Sequence, residues 1–206
     1  MEKVSPAIER AQPEKVHVIG CGAIAREILA ICEANGLGHI DLNCLPAIWH
    51  NTPDKITPGI RDAIAKARAE GFERIFVAYA DCGTGGQLDR LLEEEKVERI
   101  PGPHCYSFFA GNDDFARRWD DDLTAFFLTD FLARQFEAFV IEPLGLNRHP
   151  ELRDMYFGHY RKLVYLSQQE DAGLQEKARK AAERLGLEYE YRFTGYGDLT
   201  TSLLTA

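Results

Sequence analysis

No stretch of this 206-residue chain approaches the ~20 consecutive apolar residues of a membrane span, which excludes a helical membrane protein. A dense Lys/Arg cluster is missing too. With 24 basic against 33 acidic residues and a net charge of −9, a nucleic-acid groove and an anionic membrane surface are excluded as partners. The opening MEKVSPAIERAQPEKV lacks the apolar core of a signal peptide, predicting a cytoplasmic protein with a loose leader over residues 1–14. Five cysteines, an odd count with no C-x-x-C pair, argue against a disulfide framework and for thiol or metal chemistry. Low-complexity segments and strict repeats are also missing. The run Asp120-Asp121-Asp122 reads as a solvated helix entrance, not a metal site.

What remains is an ordinary globular composition, 45% hydrophobic and 28% charged, long enough for one α/β domain over residues 15–206. The organising stretch is Arg74 to Gly86, RIFVAYADCGTGG: an apolar strand, then Asp81 and Cys82, then a glycine turn opening a helix at Gln87. The same strand–turn–helix reading applies at 15–19 into Gly20-Cys21-Gly22 and a helix from Ala23 to Asn35, stopped by Gly36. Further strands are expected at 39–44, 97–100, 162–166 and 187–193. Helices are expected from Gly59 to about Glu70, across most of 113–140, and from Asp171 to Leu185. This predicts a three-layer α/β/α sandwich on a mostly parallel, Rossmann-like sheet. Right-handed crossovers would then gather Cys21, Cys44, His50, Asp81, Cys82, His104, Cys105, Gln168 and Tyr196 on its carboxyl edge, where open α/β folds bind ligands.

The motifs Cys21-Gly22-Ala23 with Arg26-Glu27, His50-Asn51-x-Pro53, Tyr79 to Gly86 (YADCGTGG), His104-Cys105-Tyr106, Leu128-Thr129-Asp130-Phe131, His149-Pro150-Glu151-Leu152 and Thr194-Gly195-Tyr196-Gly197 run nearly end to end. Together they resemble a family of bacterial and archaeal proteins of unassigned function, often encoded beside corrinoid-dependent methyltransferases. That resemblance implies a setting in methylated-amine or one-carbon metabolism, with a corrinoid protein or methyltransferase as partner, and no established reaction.

Three thiols, Cys21, Cys82 and Cys105, lie inside those motifs. Thiolates are strong ligands for zinc or an iron–sulfur cluster, and three ligands leave a fourth position for water or substrate. The competing reading is that buried cysteines are small hydrophobes, as expected for Cys32 within its helix. His50, His104 or Cys44 would supply a fourth ligand. His50, His104 and Asp81 are acid/base candidates, and Tyr196 would line the pocket. His17, His39, His149 and His159 carry no special context.

Gly20-Cys21-Gly22-Ala23-Ile24-Ala25 also matches the dinucleotide fingerprint, with Asp41 about 20 residues on to hold a ribose, so an NAD(P)- or flavin-dependent oxidoreductase is the rival reading. The turn Gly83, Gly85, Gly86 would cradle a phosphate or carboxylate with backbone N–H groups. The leading expectation is a metal-dependent enzyme acting on a small molecule. A non-enzymatic accessory of a corrinoid methyltransferase system is the third.

Overall fold

A computed structural model describes residues 14–206, so all but the last residue of the expected leader lies outside the described residues. The first half alternates strand and helix: β1 Val16–Cys21, α1 Ala25–Asn35, β2 Ile40–Leu45, α2 Ile56–Ala69, β3 Arg74–Ala78, α3 Gln87–Glu95 and the two-residue β4 Glu98–Arg99. Short helices follow, α4 Cys105–Ala110, α5 Asn112–Arg117 and α6 Trp119–Asp122. Then come β5 Ala125–Leu128, α7 Asp130–Arg134, α8 Arg153–Phe157, β6 Lys162–Ser167, α9 Ala172–Leu185, β7 Glu188–Phe193 and α10 Asp198–Thr205.

The α/β class and the parallel pairing are as the sequence leads one to expect. The strands, however, divide into two all-parallel sheets, β2-β1-β3-β4 and β5-β6-β7, in place of one. The expected long helix over 113–140 is the main difference. The run Ala125-Phe126-Phe127-Leu128 is a strand in register with Lys162–Tyr165, and a π-helical turn at Glu137–Ile141 follows α7. A four-residue apolar run flanked by further aromatics carries no period of its own; its pairing with β6, 37 positions on, decides its conformation.

Each sheet has its own core. β1 is buried at all six positions and packs with Ile24 of the turn before α1, with Ile28 and Ile31 of α1, and with Ile60 and Ile64 of α2. The second core joins Leu163 and Tyr165 of β6 to Leu174, Ala178, Ala181, Ala182 and Leu185 of α9. Asp171 caps α9, its Oδ1 accepting from the N–H groups of Gly173 (2.8 Å) and Leu174 (3.0 Å).

Helix α4 joins the halves. Phe108 and Phe109 enter the first core, while Tyr106 packs with Ala125, Val164 and Leu166 of the second sheet. The chain then returns: α10 lays Leu199 and Leu203 into the first core, against α1 and α4. Asp198 fixes that return, its Oδ2 accepting from Asn112 N (2.8 Å) and Nδ2 (2.9 Å). Asp122 of the acidic run is buried and accepts two hydrogen bonds from Arg192 (2.6 and 2.7 Å) with Lys162 at 2.8 Å, so it ties α6 to β7 and β6 instead of facing solvent.

Gly197 accounts for the last glycine of the Thr194–Gly197 motif. Its φ is +48°, and a Cβ there would sit 2.2 Å from the Phe108 carbonyl oxygen and 2.3 Å from that of Phe109. Gly197→Ala is therefore expected to destabilise the protein by about 2–3 kcal/mol in urea unfolding. An unchanged midpoint would mean that the return of α10 tolerates a shift.

Candidate functional site

In the first sheet the order of strand addition reverses between β1 and β3, and ligands of open α/β sheets bind at such a switch point, beyond the carboxyl ends of the strands. Cys21 is the last residue of β1. Cys82 follows β3 by four residues, His50 sits in the 3-10 turn Ala47–Asn51 after β2, and Cys105 opens α4 after β4. Four strand ends thus deliver three thiols and an imidazole to one place.

The Cys21 sulfur accepts from Ala23 N (3.3 Å) and lies 3.8 Å from His50 Nδ1. The same nitrogen is 2.9 Å from the Ala47 carbonyl, which takes its proton in the neutral ring and leaves the Nε2 lone pair free. Burial alone would lower the His50 pKa. The hydrogen bond and charge of the Cys82 sulfur, with the Ala47 carbonyl, outweigh burial and raise it. Burial pushes the Cys21 thiol up to about 11, against the Ala23 N–H and Tyr79 contacts that favour thiolate. Cys105 is raised well above the thiol range, by burial first and then by the charges of Cys82 and Cys21. The Tyr79 ring lies nearly parallel to His50, centroids 6.4 Å apart. Its hydroxyl is buried, and the Cys21 sulfur bears on it through both charge and hydrogen bonding.

Cys82 has φ +49°, a left-handed conformation that costs a side-chain-bearing residue about 1 kcal/mol. It is pinned there, Cys82 N–H donating to the Pro103 carbonyl at 2.9 Å and Asp81 N–H to that of Gly102 at 3.3 Å.

Several expected site residues do other work. Asp81 fills the glycine turn itself: its carboxylate accepts from Thr84 Oγ1 (2.6 Å), Gly86 N (2.9 Å) and Gly85 N (3.3 Å). Partial burial would raise its pKa, but Thr84 and the N–H groups of Gly86, Gly85 and Gly83 hold it below the usual carboxylate range. The anion cradle of Gly83, Gly85 and Gly86 is thus occupied by the protein's own carboxylate, which ties Asp81 to the turn. His104 caps α4, its Nδ1 accepting from Ser107 N at 3.3 Å, with its ring edge-on to Phe115. Tyr196 accepts from Gln169 Nε2 at 2.9 Å instead of lining the pocket.

Asp41 is the second residue of β2, at its amino end, in register with His17 and bonded to it (Nδ1–Oδ2 2.6 Å). It lies across the sheet from the carboxyl edge and cannot hold a ribose there. The glycines of the fingerprint serve packing. A Cβ on Gly22 would meet the Leu45 carbonyl oxygen at 3.0 Å, one on Gly20 would meet Ile28 and Leu42 at 3.1 and 3.2 Å, and Ala25 simply begins α1. Cys32 is half-buried on α1, apart from the group, whereas Cys44, exposed within β2, lies near it: burial first and then the charge of Cys21 push its thiol up to about 11.

The site has a second half that sequence reasoning missed. A cavity of about 190 Å³ lies between the two sheets. Its first-sheet wall is Ala23, Ala47, His50, Asn51 and Cys105; its second-sheet wall includes Phe126, Thr129, Phe131 and Phe139. A roomier groove of about 380 Å³ between α7 and α9 carries no thiol or imidazole. Behind the second wall, Asp130 is 1% exposed and accepts from Tyr165 Oη (2.7 Å), Gln168 N (3.1 Å) and Gln169 N (3.2 Å). Buried Glu27 of α1 meets Arg134 of α7 at 3.2 Å, an ion pair across the halves. Burial raises the Glu27 pKa, opposed by Arg134 and reinforced by Asp130. The signal for these residues was their place in the Arg26-Glu27 and Leu128–Phe131 motifs.

The donor set of three thiols and one imidazole suits zinc, and two ligands of one tetrahedral zinc stand about 3.5–3.8 Å apart given bonds of roughly 2.3 and 2.0 Å. The 3.8 Å from the Cys21 sulfur is to His50 Nδ1, which bonds the Ala47 carbonyl, so a metal bond would fall to Nε2, the nitrogen left free. Among the described residues no group of three His, Cys, Asp or Glu side chains is already closed to metal-holding distance. Among the described residues, too, no helix is long and apolar enough to cross a membrane.

No curated protein and no solved structure matches the chain. One family model does, that of a protein of unknown function (DUF1638), over residues 44–203. That span holds Cys82, Cys105, His50 and the whole second sheet, so the chain belongs to the DUF1638 family.

Proposed function

We propose that this chain is a thiolate metal protein in which Cys21, Cys82 and Cys105 hold a zinc ion, with His50 as the fourth ligand or beside an open position. A small molecule is acted on in the cavity that Cys105 and His50 wall. The observation that carries this is the meeting of three thiols and an imidazole, delivered by four separate strand ends, at the switch point of the sheet. The buried Tyr79 hydroxyl beside them adds a hydrogen-bonding group next to the Cys21 sulfur. Closing three sulfurs on one ion takes side-chain rotation from the arrangement seen.

Zinc would supply Lewis acidity and an activated water or thiol. The chain supplies the rest. The Ala47 carbonyl fixes the His50 tautomer, as partners of ligating histidines do, and the cavity walls are mostly apolar.

The test is elemental analysis with a visible spectrum of anaerobically purified protein. One colourless zinc per chain is expected, lost in Cys21→Ser and Cys105→Ser and retained in Cys32→Ser. A brown protein with broad absorbance would replace zinc by an iron–sulfur cluster. A metal-free protein that takes up neither on reconstitution would leave the thiols as core residues.

A further inference from the structure

We propose that the cavity between the sheets binds a small methyl-bearing onium cation, an ammonium or sulfonium, held by cation–π contact with aromatic walls. Four rings face the space, Tyr106, Phe126, Phe131 and Phe139. None is free to swing. Phe131 and Phe139 brace each other edge to face at 4.9 Å and 81°, Phe126 stands edge-on to Phe157 at 5.2 Å and 88°, and Tyr106 stacks on Phe127 at 5.5 Å. Rings fixed in this way line the cavity without needing to reorganise, and an aromatic ring that offers its face to a cation attracts quaternary ammonium groups.

Charge selects among ligands of the right shape. No Lys, Arg, Asp or Glu lines the cavity among the described residues, so a phosphate or carboxylate would meet a counter-charge only at His50 and at the zinc proposed beside it. Just behind the walls the balance is negative. Glu27 and Asp130, 3% and 1% exposed, act on each other, and Arg134 pairs with Glu27 alone. Asp130 lies between the wall residues Thr129 and Phe131, and the chain as a whole carries −9. A delocalised cation with a methylated surface gains from both the rings and this field, whereas a neutral apolar molecule gains only from burial. Size agrees: about 190 Å³ is the liquid share of some six waters at roughly 30 Å³ each, room for a trimethylated head with a short tail. The assignment rests on the metal reading only for what happens at Cys105 and His50; the walls stand without it.

The experiment is calorimetric titration of the full chain, zinc-loaded and chelator-treated, with choline and with its neutral isostere 3,3-dimethylbutan-1-ol. Choline is expected to bind at least tenfold more tightly than the isostere in one or both forms, and Phe131→Leu to weaken choline at least fivefold while leaving metal content unchanged. Equal or tighter binding of the isostere, or no binding of either probe in both forms, overturns the proposal. Should Phe131→Leu fail to fold, the comparison of the two probes on the unaltered chain still decides. A zinc-free protein that prefers choline would sink the metal reading and keep this one; a zinc protein indifferent to charge would do the reverse.

Discussion

Cys82→Gly is expected to empty the metal site while leaving the metal-free fold within about 1 kcal/mol of its original stability. Cys82 is held at φ +49°, where a side chain costs about 1 kcal/mol and glycine costs nothing. Opposing that gain, glycine raises the entropy of the unfolded chain by a similar amount and gives up the contacts of a half-buried sulfur. The two nearly cancel, so the substitution separates the thiol from the fold. Urea unfolding in excess chelator reads the second quantity, and zinc per chain reads the first. Undiminished zinc would remove Cys82 from the ligand set. A loss of about 3 kcal/mol in chelator would instead make the sulfur a packing element, with its unusual backbone held by contacts alone.

The largest loss of stability outside the thiols is expected from Asp130→Ala, about 3–5 kcal/mol. The alanine would leave the Tyr165 hydroxyl and the N–H groups of Gln168 and Gln169 without their acceptor in a site that water does not reach, at about 1–3 kcal/mol each before relaxation. Asp130→Asn keeps one acceptor oxygen, which today serves Tyr165 and Gln168, and should cost less than half as much. Equilibrium unfolding in urea checks both. Similar losses for Asn and Ala would mean that the charge, and not the hydrogen-bond geometry, holds β5 to the end of β6.

That Cys21, Cys82 and Cys105 lie toward one edge was legible because each stands at or beyond the end of an apolar run, and parallel topology places all such ends on one edge. What was not legible depended on partners far along the chain. Asp41 resembled a ribose-binding acid until His17 opposite it in β1 placed it at the wrong end of β2. The glycines after Cys82 resembled an anion cradle, and they are one; the anion is Asp81, four and five positions before the N–H groups it takes. Strand β5 was hidden because aromatic residues are compatible with either period, and only its register with β6 decides. With β5 went the second wall of the cavity, so the sequence showed one side of the site.

The return of α10 to the first sheet has a consequence for synthesis. Every strand of that sheet has left the ribosome by Arg99, yet Leu199 and Leu203, which complete its core beside α1 and α4, follow about 100 residues later. During that interval the nascent chain carries an uncovered apolar face, and the contacts that close it are among the most non-local in the molecule. The first half is thus made early and finished last. A bulky fusion close behind Thr205 would act on the early half of the chain, by slowing the step that seals its core.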